Sequence, residues 1–177
     1  VLLVVVPTLA ASIYYGFVAS DQYVAEARFT VMGGEIPASD SLGKVSGFPA
    51  EAIIQDTLIV TNFIHTRAAV EKLEKLVGLR ERYSRSDVDA IARFDAKESI
   101  EKFIRYWEGM SDVSTKMPSG IVELKVRAFS AADSVEITRA VVKMSEDLIN
   151  ELNERMNGDA VRSAEHELQL AAQRLAV

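Results

Sequence analysis

Two histidines, His65 and His166, are the only imidazoles in the chain, and they lie far apart in sequence. His166-Glu167 begins like a helical zinc-protease motif, which needs a second histidine four residues after the first so that both fall on one helix face. Position 170 is Leu170, so that chemistry has no second ligand, and His166 is expected to be a solvated helical residue. No serine sits in a G-x-S-x-G context that would present a nucleophile at a strand-to-helix turn. With no cysteine in the chain, thiol catalysis, cysteine-held zinc and disulfides are excluded. Gly33-Gly34 matches neither spacing of the phosphate-binding glycine loops. The carboxylate pairs Glu71/Glu74 and Asp87/Asp89 read as solvated helix faces. Arg80, Arg82 and Arg85 form a modest basic cluster between helices, able to touch an anionic glycan but read here as a solvated loop. Tyr106-Trp107 offers rings for stacking on a sugar, although Trp107 at helical spacing from Phe103 fits a core better. No catalytic residue, metal ligand or cofactor site is expected.

The feature that does organise the chain is the charge-free apolar run VLLVVVPTLAASIYYGFVAS, residues 1–20. Its length suits a helix crossing a hydrocarbon core of roughly 30 Å. Tyr14 and Tyr15 near its outer end suit the aromatic belt at a membrane interface. Two alternatives stay open. A secretory signal peptide has a shorter apolar region, yet Ala19-Ser20 resembles a cleavage site; a buried core helix of this length normally carries some polar residues. After Ser20 come Asp21, Glu26, Arg28, Glu35 and Asp40, and Lys44 is the first lysine. Cytoplasmic flanks are enriched in Lys and Arg, so the domain that follows is expected in the periplasm of a bacterial cell. The chain starts without Met inside the apolar run, and a cytoplasmic piece is expected to precede it.

The remaining residues are enough for one domain with its own core. The net charge of −6 argues against nucleic-acid binding, which needs a basic surface to neutralise phosphates. Tyr23 to Val31 alternates, with Tyr23, Ala25, Ala27, Phe29 and Val31 on one face, and predicts a half-buried strand. Met32 to Phe48, rich in Gly, Ser and Pro, predicts a loop. A helix is expected from Pro49 to about Ile64, with Ile53, Ile54, Leu58 and Phe63 as its stripe. Thr66 to Val77 predicts a second helix, with Val70, Leu73 and Val77 inward and Gly78 as its stop. Ser86-Asp87 is expected to cap a short helix to Ala92, and Ala96 to Gly109 to form another. Val113 to Lys116 and Ile121 to Phe129 flank the turn residues Pro118-Ser119-Gly120 and predict an antiparallel hairpin. Val122, Leu124, Val126 and Ala128 form its apolar face, expected to share a sheet with the strand at Tyr23. Ser130 or Asp133 caps the next helix, whose stripe is Ile137, Val141, Met144, Leu148 and Leu152, with Val142 and Ile149 alongside. Asn157-Gly158 interrupts that pattern. Beyond it, Val161, Leu168 and Leu175 recur every seven residues with Ala164 and Ala171 between them, a heptad seam with small residues at alternate positions. An amphipathic helix lying on its own domain remains the alternative. The expected fold class is α+β: a transmembrane helix over 1–20, an α/β domain with a small mixed sheet over 21–156, and over 157–177 a helix leading into a coiled-coil protrusion.

A membrane helix followed at once by SDQYVAEARFTV resembles the N-terminal region of the polysaccharide co-polymerases. More closely it resembles the capsule polysaccharide export inner-membrane proteins of ABC-transporter-dependent pathways. IIQDTLIVTNFIHTRAAVEKLEK is similar to the helical region that follows in those proteins. GIVELKVRAFSAADSVEITRAVVKMSEDLINELNERM is similar to their stretch where a strand leads into a long periplasmic helix. The resemblance implies two membrane helices flanking a periplasmic α/β base and a helical protrusion. It also implies a homo-oligomeric ring, partnership with the membrane subunits of an ABC transporter and with an outer-membrane polysaccharide export protein, passing contact with polysaccharide, and no enzymatic activity. A chain-length regulator of O-antigen-type polymers shares that fold. A sensory input domain of a membrane receptor and, fourth, a tethered hydrolase are the remaining alternatives.

Overall fold

The computed structural model describes residues 2–30, 51–116 and 120–175. Its elements run α1 (Leu2–Ile13), a π-helical turn (Tyr14–Val18), β1 (Tyr23–Thr30), α2 (Glu51–Phe63), α3 (Arg67–Val77), α4 (Leu79–Tyr83), α5 (Ile100–Met110), β2 (Ser111–Lys116), β3 (Ile121–Ala128) and α6 (Ala131–Leu175). The expected loop from Met32 to Phe48, the start of the helix at Pro49, and Pro118-Ser119 lie outside the described residues.

The three strands form one sheet in the order β1-β3-β2. Both pairings are antiparallel, which corrects the expected mixed sheet. The short connection between β2 and β3 imposes a hairpin, and Gly120 supplies the positive φ of 65° that it needs. β1 pairs along its whole length with β3, Tyr23 opposite Ala128 and Phe29 opposite Val122. The two alternating strands therefore share one sheet and one apolar face. Val122, Leu124 and Val126 are fully buried, and Ala25, Ala27 and Phe29 are half-buried beside them.

Helices cover that face. α6 packs on β1 and β3, and α2 and α5 pack on the hairpin. Ile137, Val141, Met144 and Ile149 bury one stripe of α6, with Val142 and Leu152 packed at its margin. α3 buries Ala69, Val70 and Leu73. Its ends form as its sequence dictates: the Thr66 side chain accepts from the Ala69 N–H, and Gly78 ends it at φ 60°. The α2 stripe holds in part: Phe63 packs on the core, and the side chains of Ile53 and Ile54 lie outside the described residues. Thr57, Val60 and Ile64 are buried, whereas Leu58 is half exposed. Ser86–Ala92 forms turns rather than a helix, because Asp89 accepts from the N–H groups of Ile91 and Ala92 and offers the backbone a local alternative to a helical ladder.

The N-terminal helix is shorter than expected. α1 and its π turn together end at Val18, and Ala19 is extended at ψ 129°. That helical length is roughly 26 Å. No helix among the described residues is long and apolar enough to cross a membrane. At the other end, α6 runs unbroken through Asn157-Gly158. Added Cβ atoms at Gly158 would meet nothing within 4 Å, so no packing forces a break. One glycine costs a helix only about 1 kcal/mol relative to alanine.

Candidate functional site

The chemistry of this chain concentrates where the apolar helix meets the α/β domain. The Tyr14 hydroxyl donates to Asp89 Oδ1 at 3.1 Å, and the Ser20 N–H donates to Asp89 Oδ2 at 3.1 Å. In return the Asp89 N–H donates to Ser20 Oγ at 2.8 Å. A single carboxylate thus ties both ends of the π turn to the loop that follows α4. The N–H groups of Ala92 and Ser20 hold the Asp89 carboxyl below its ordinary range. Sequence reading placed Asp89 on a solvated face; the partner that makes it a junction residue lies 69 positions away, beyond any local pattern. Tyr15 is left 77% exposed, its ring edge-on to Tyr14 at 5.2 Å.

A second cluster occupies the outer face of the sheet. The register sets Arg28 opposite Glu123 and Glu26 opposite Lys125. Glu123 Oε2 lies 2.9 Å from Lys116 Nζ, and its Oε1 lies 3.2 Å from Lys125 Nζ and 3.4 Å from Arg28. Arg28 also reaches Glu26 at 2.6 Å. Lys116 and Lys125 pull the Glu123 carboxyl down to about 2. Such a group stabilises the fold above its unfolded pKa of about 4.3 and ceases to do so as pH falls toward its folded value. Asp89 acts in the same direction. The urea midpoint should therefore fall as pH is lowered from about 5 to 3, and Glu123→Gln should flatten that slope. An unchanged slope in the variant would mean that the cluster is fully screened.

The three arginines are corrected from a solvated loop to structural latches. Arg82 reaches Asp133 at 2.5 Å and Glu136 at 2.9 Å, and Arg85 reaches Asp133 at 3.1 Å. Asp133 also accepts from Ser130 at 2.6 Å, while its N–H donates to Ser130 Oγ. α4 and its loop are thereby fastened to the capped start of α6. Arg80 donates to the carbonyls of Ala96 and Glu98 and lies 4.9 Å over the Phe103 ring. Arg80 and Arg85 line a cleft of about 540 Å³ with Glu74, Glu81 and Asp87, yet each already holds a protein partner.

Tyr106 and Trp107 are likewise structural. Trp107 is fully buried and donates to the Ile64 carbonyl at 3.1 Å; Tyr106 donates to the Ala92 carbonyl at 2.8 Å. His65 Nε2 meets Ser111 Oγ at 2.9 Å, whereas His166 is exposed on α6. Among the described residues no three His, Asp or Glu side chains converge to hold a metal ion. Of the seam residues, Val161, Ala164 and Leu168 are exposed on α6, the larger two at 58% and 72%. Ala171 and Leu175 continue the same helix.

The architecture is thus an antiparallel α+β domain fastened at one side to an apolar helix and prolonged at the other by a helix that leaves its own core. No family model matches the chain. The chain is 32% identical over 177 residues to the capsule polysaccharide export inner-membrane protein CtrB of Neisseria meningitidis serogroup B, covering 97% of this chain and 46% of that protein. It is 34% identical over 171 residues to the capsule polysaccharide export inner-membrane protein BexC of Haemophilus influenzae, covering 93% and 45%. With the capsule polysaccharide export inner-membrane protein KpsE of Escherichia coli the identity is 26% over 176 residues, covering 98% and 46%. The chain spans just under half the length of these curated relatives.

Proposed function

We propose that this chain is the membrane-proximal part of a non-enzymatic scaffold for capsular polysaccharide export. The observation that carries the reading is the similarity to CtrB and BexC over nearly the whole chain. α1 and the π turn after it are the membrane-embedded end: they are free of charge, and Leu3 and Phe17 are each 89% exposed. Residues 1–20 anchor the chain in the inner membrane, residues 21–156 form a periplasmic base, and residues 157–177 begin a protrusion. Copies assemble as a ring beside the membrane subunits of an ABC transporter. The protrusion reaches toward an outer-membrane polysaccharide export protein, and the polymer passes without reaction or cofactor. This assigns the seam Val161, Ala164, Leu168, Ala171 and Leu175 to a partner helix, which alanines allow to approach closely.

The seam supplies the test, made in the full-length protein in a capsule-producing host. Inserting two residues after Leu170 turns everything beyond by about 200°, whereas seven residues nearly preserve the facing. At equal protein levels, surface capsule should be lost with the first insertion and largely kept with the second. Equal capsule from both would remove the partner helix, and full capsule in a strain lacking the protein would reject the export role.

A further inference from the structure

We infer that the turn Asp89–Arg93 is a second membrane contact, with Ile91 seated at the boundary between lipid headgroups and acyl chains beside the outer end of α1. The inference rests on the reading that α1 lies in the membrane. Four observations lead to it.

The first is position. The hydrogen bonds from Tyr14 and Ser20 to Asp89, and from Asp89 to Ser20, hold this turn level with the end of the apolar helix. Whatever depth Tyr14 takes, the turn takes too. The second is exposure. Ile91 is 78% exposed, more than any other large apolar side chain outside the N-terminal helical segment among the described residues. A single exposed aliphatic residue needs no explanation on an ordinary surface, but this one stands two residues from Asp89, whose partner Tyr14 lies in the same helical turn as Tyr15 and Phe17, 77% and 89% exposed.

The third observation is rigidity. Ile91 and Ala92 donate to Asp89 Oδ1 at 2.9 Å, Ala92 accepts from the Tyr106 hydroxyl, and the Phe94 N–H donates to the Tyr83 carbonyl. The turn presents its side chain without first being ordered, which removes an entropic cost of binding. The fourth is charge. Residues 87–98 carry Asp87, Asp89, Asp95 and Glu98 against Arg93 and Lys97. An acidic loop is not drawn to anionic headgroups, so the contact is apolar and is not weakened by added salt.

The test uses the full-length protein in vesicles of phosphatidylcholine and phosphatidylglycerol, with single cysteines from Leu3→Cys, Ile91→Cys or Leu168→Cys carrying an environment-sensitive fluorophore. Lipids bear a nitroxide either near the headgroup or deep in the acyl chain. Leu3 lies roughly 16 Å along the helix from Tyr14, near the bilayer centre. The ratio of shallow to deep quenching should exceed one at Ile91 and fall below one at Leu3, with no quenching at Leu168, and added salt should not reduce the quenching at Ile91 or Leu3. Quenching at Leu3 but not at Ile91 overturns the inference while leaving α1 in the membrane. Blue-shifted emission at Ile91 without lipid quenching also overturns it, because another copy of the chain then covers the turn. Absence of quenching at Leu3 removes the membrane reading itself, and the inference with it.

Discussion

A chain carrying Leu124→Asp should lose its cooperative thermal transition. Leu124 is fully buried at the middle of the central strand, between Ala27 on one side and Val113 on the other. α6 covers this face, so water cannot reach a carboxylate placed there. An unpaired charge in such a site costs several kcal/mol even after it neutralises by taking up a proton. The whole stability of a domain is only about 5–15 kcal/mol. The neighbouring Lys125 faces outward, and Lys125→Ala should remove no more than about 1 kcal/mol. Circular dichroism on heating distinguishes the two. A normal melting temperature for Leu124→Asp would mean that the strand is turned the other way.

Trp107→Ala should cost about 3–5 kcal/mol, the range for removing a large buried aromatic side chain. The indole packs 6.5 Å from the Tyr83 ring between centroids and supplies the side-chain donor to the Ile64 carbonyl. It therefore joins α5 to the end of α2. Trp107→Phe keeps much of the packing and loses the donor, so it should cost about 1–3 kcal/mol. The measurement is the urea midpoint with its slope. A cost below about 1 kcal/mol for the alanine variant would show that α5 docks through other residues.

Leu124 and Trp107 also illustrate what the sequence makes legible. Alternation over Ile121–Phe129 named the buried face of β3 without error, because a strand's period of two leaves one choice of facing. Trp107 and Phe103 followed from helical spacing, and Gly78 from its role as a helix stop, whereas Thr66 was read as the first helical residue and is the N-cap. In the α2 stripe Leu58 is exposed while Phe63 packs on the core, and the buried Thr57 was missed because a threonine carries no hydropathy signal. Leu79, Tyr83 and Phe94, all buried, escaped notice because α4 is a single short helix and Phe94 sits in a turn, where no periodicity operates. The junction was hidden for a different reason. Tyr14, Ser20 and Asp89 are each ordinary where they stand, and only the tertiary fold joins them. Arg82 and Arg85 were visible as a cluster but not as ion pairs, since Asp133 lies 51 and 48 residues on.

The unbroken course of α6 has a mechanical consequence. Its first half is fixed in the core, while the part beyond Leu152 touches little of its own domain. That free part is roughly 33 Å long and has no hinge. It behaves as a lever whose fulcrum is the α/β domain: a 10° rock of the domain sweeps the tip through about 6 Å. The other side of the same domain is clamped to α1 through Asp89. A rotation of the domain that accompanied a tilt of the N-terminal helix would therefore be largest at the far end of α6, and the Asp89 hydrogen bonds add to the short covalent link from Val18 to Tyr23 in coupling the two.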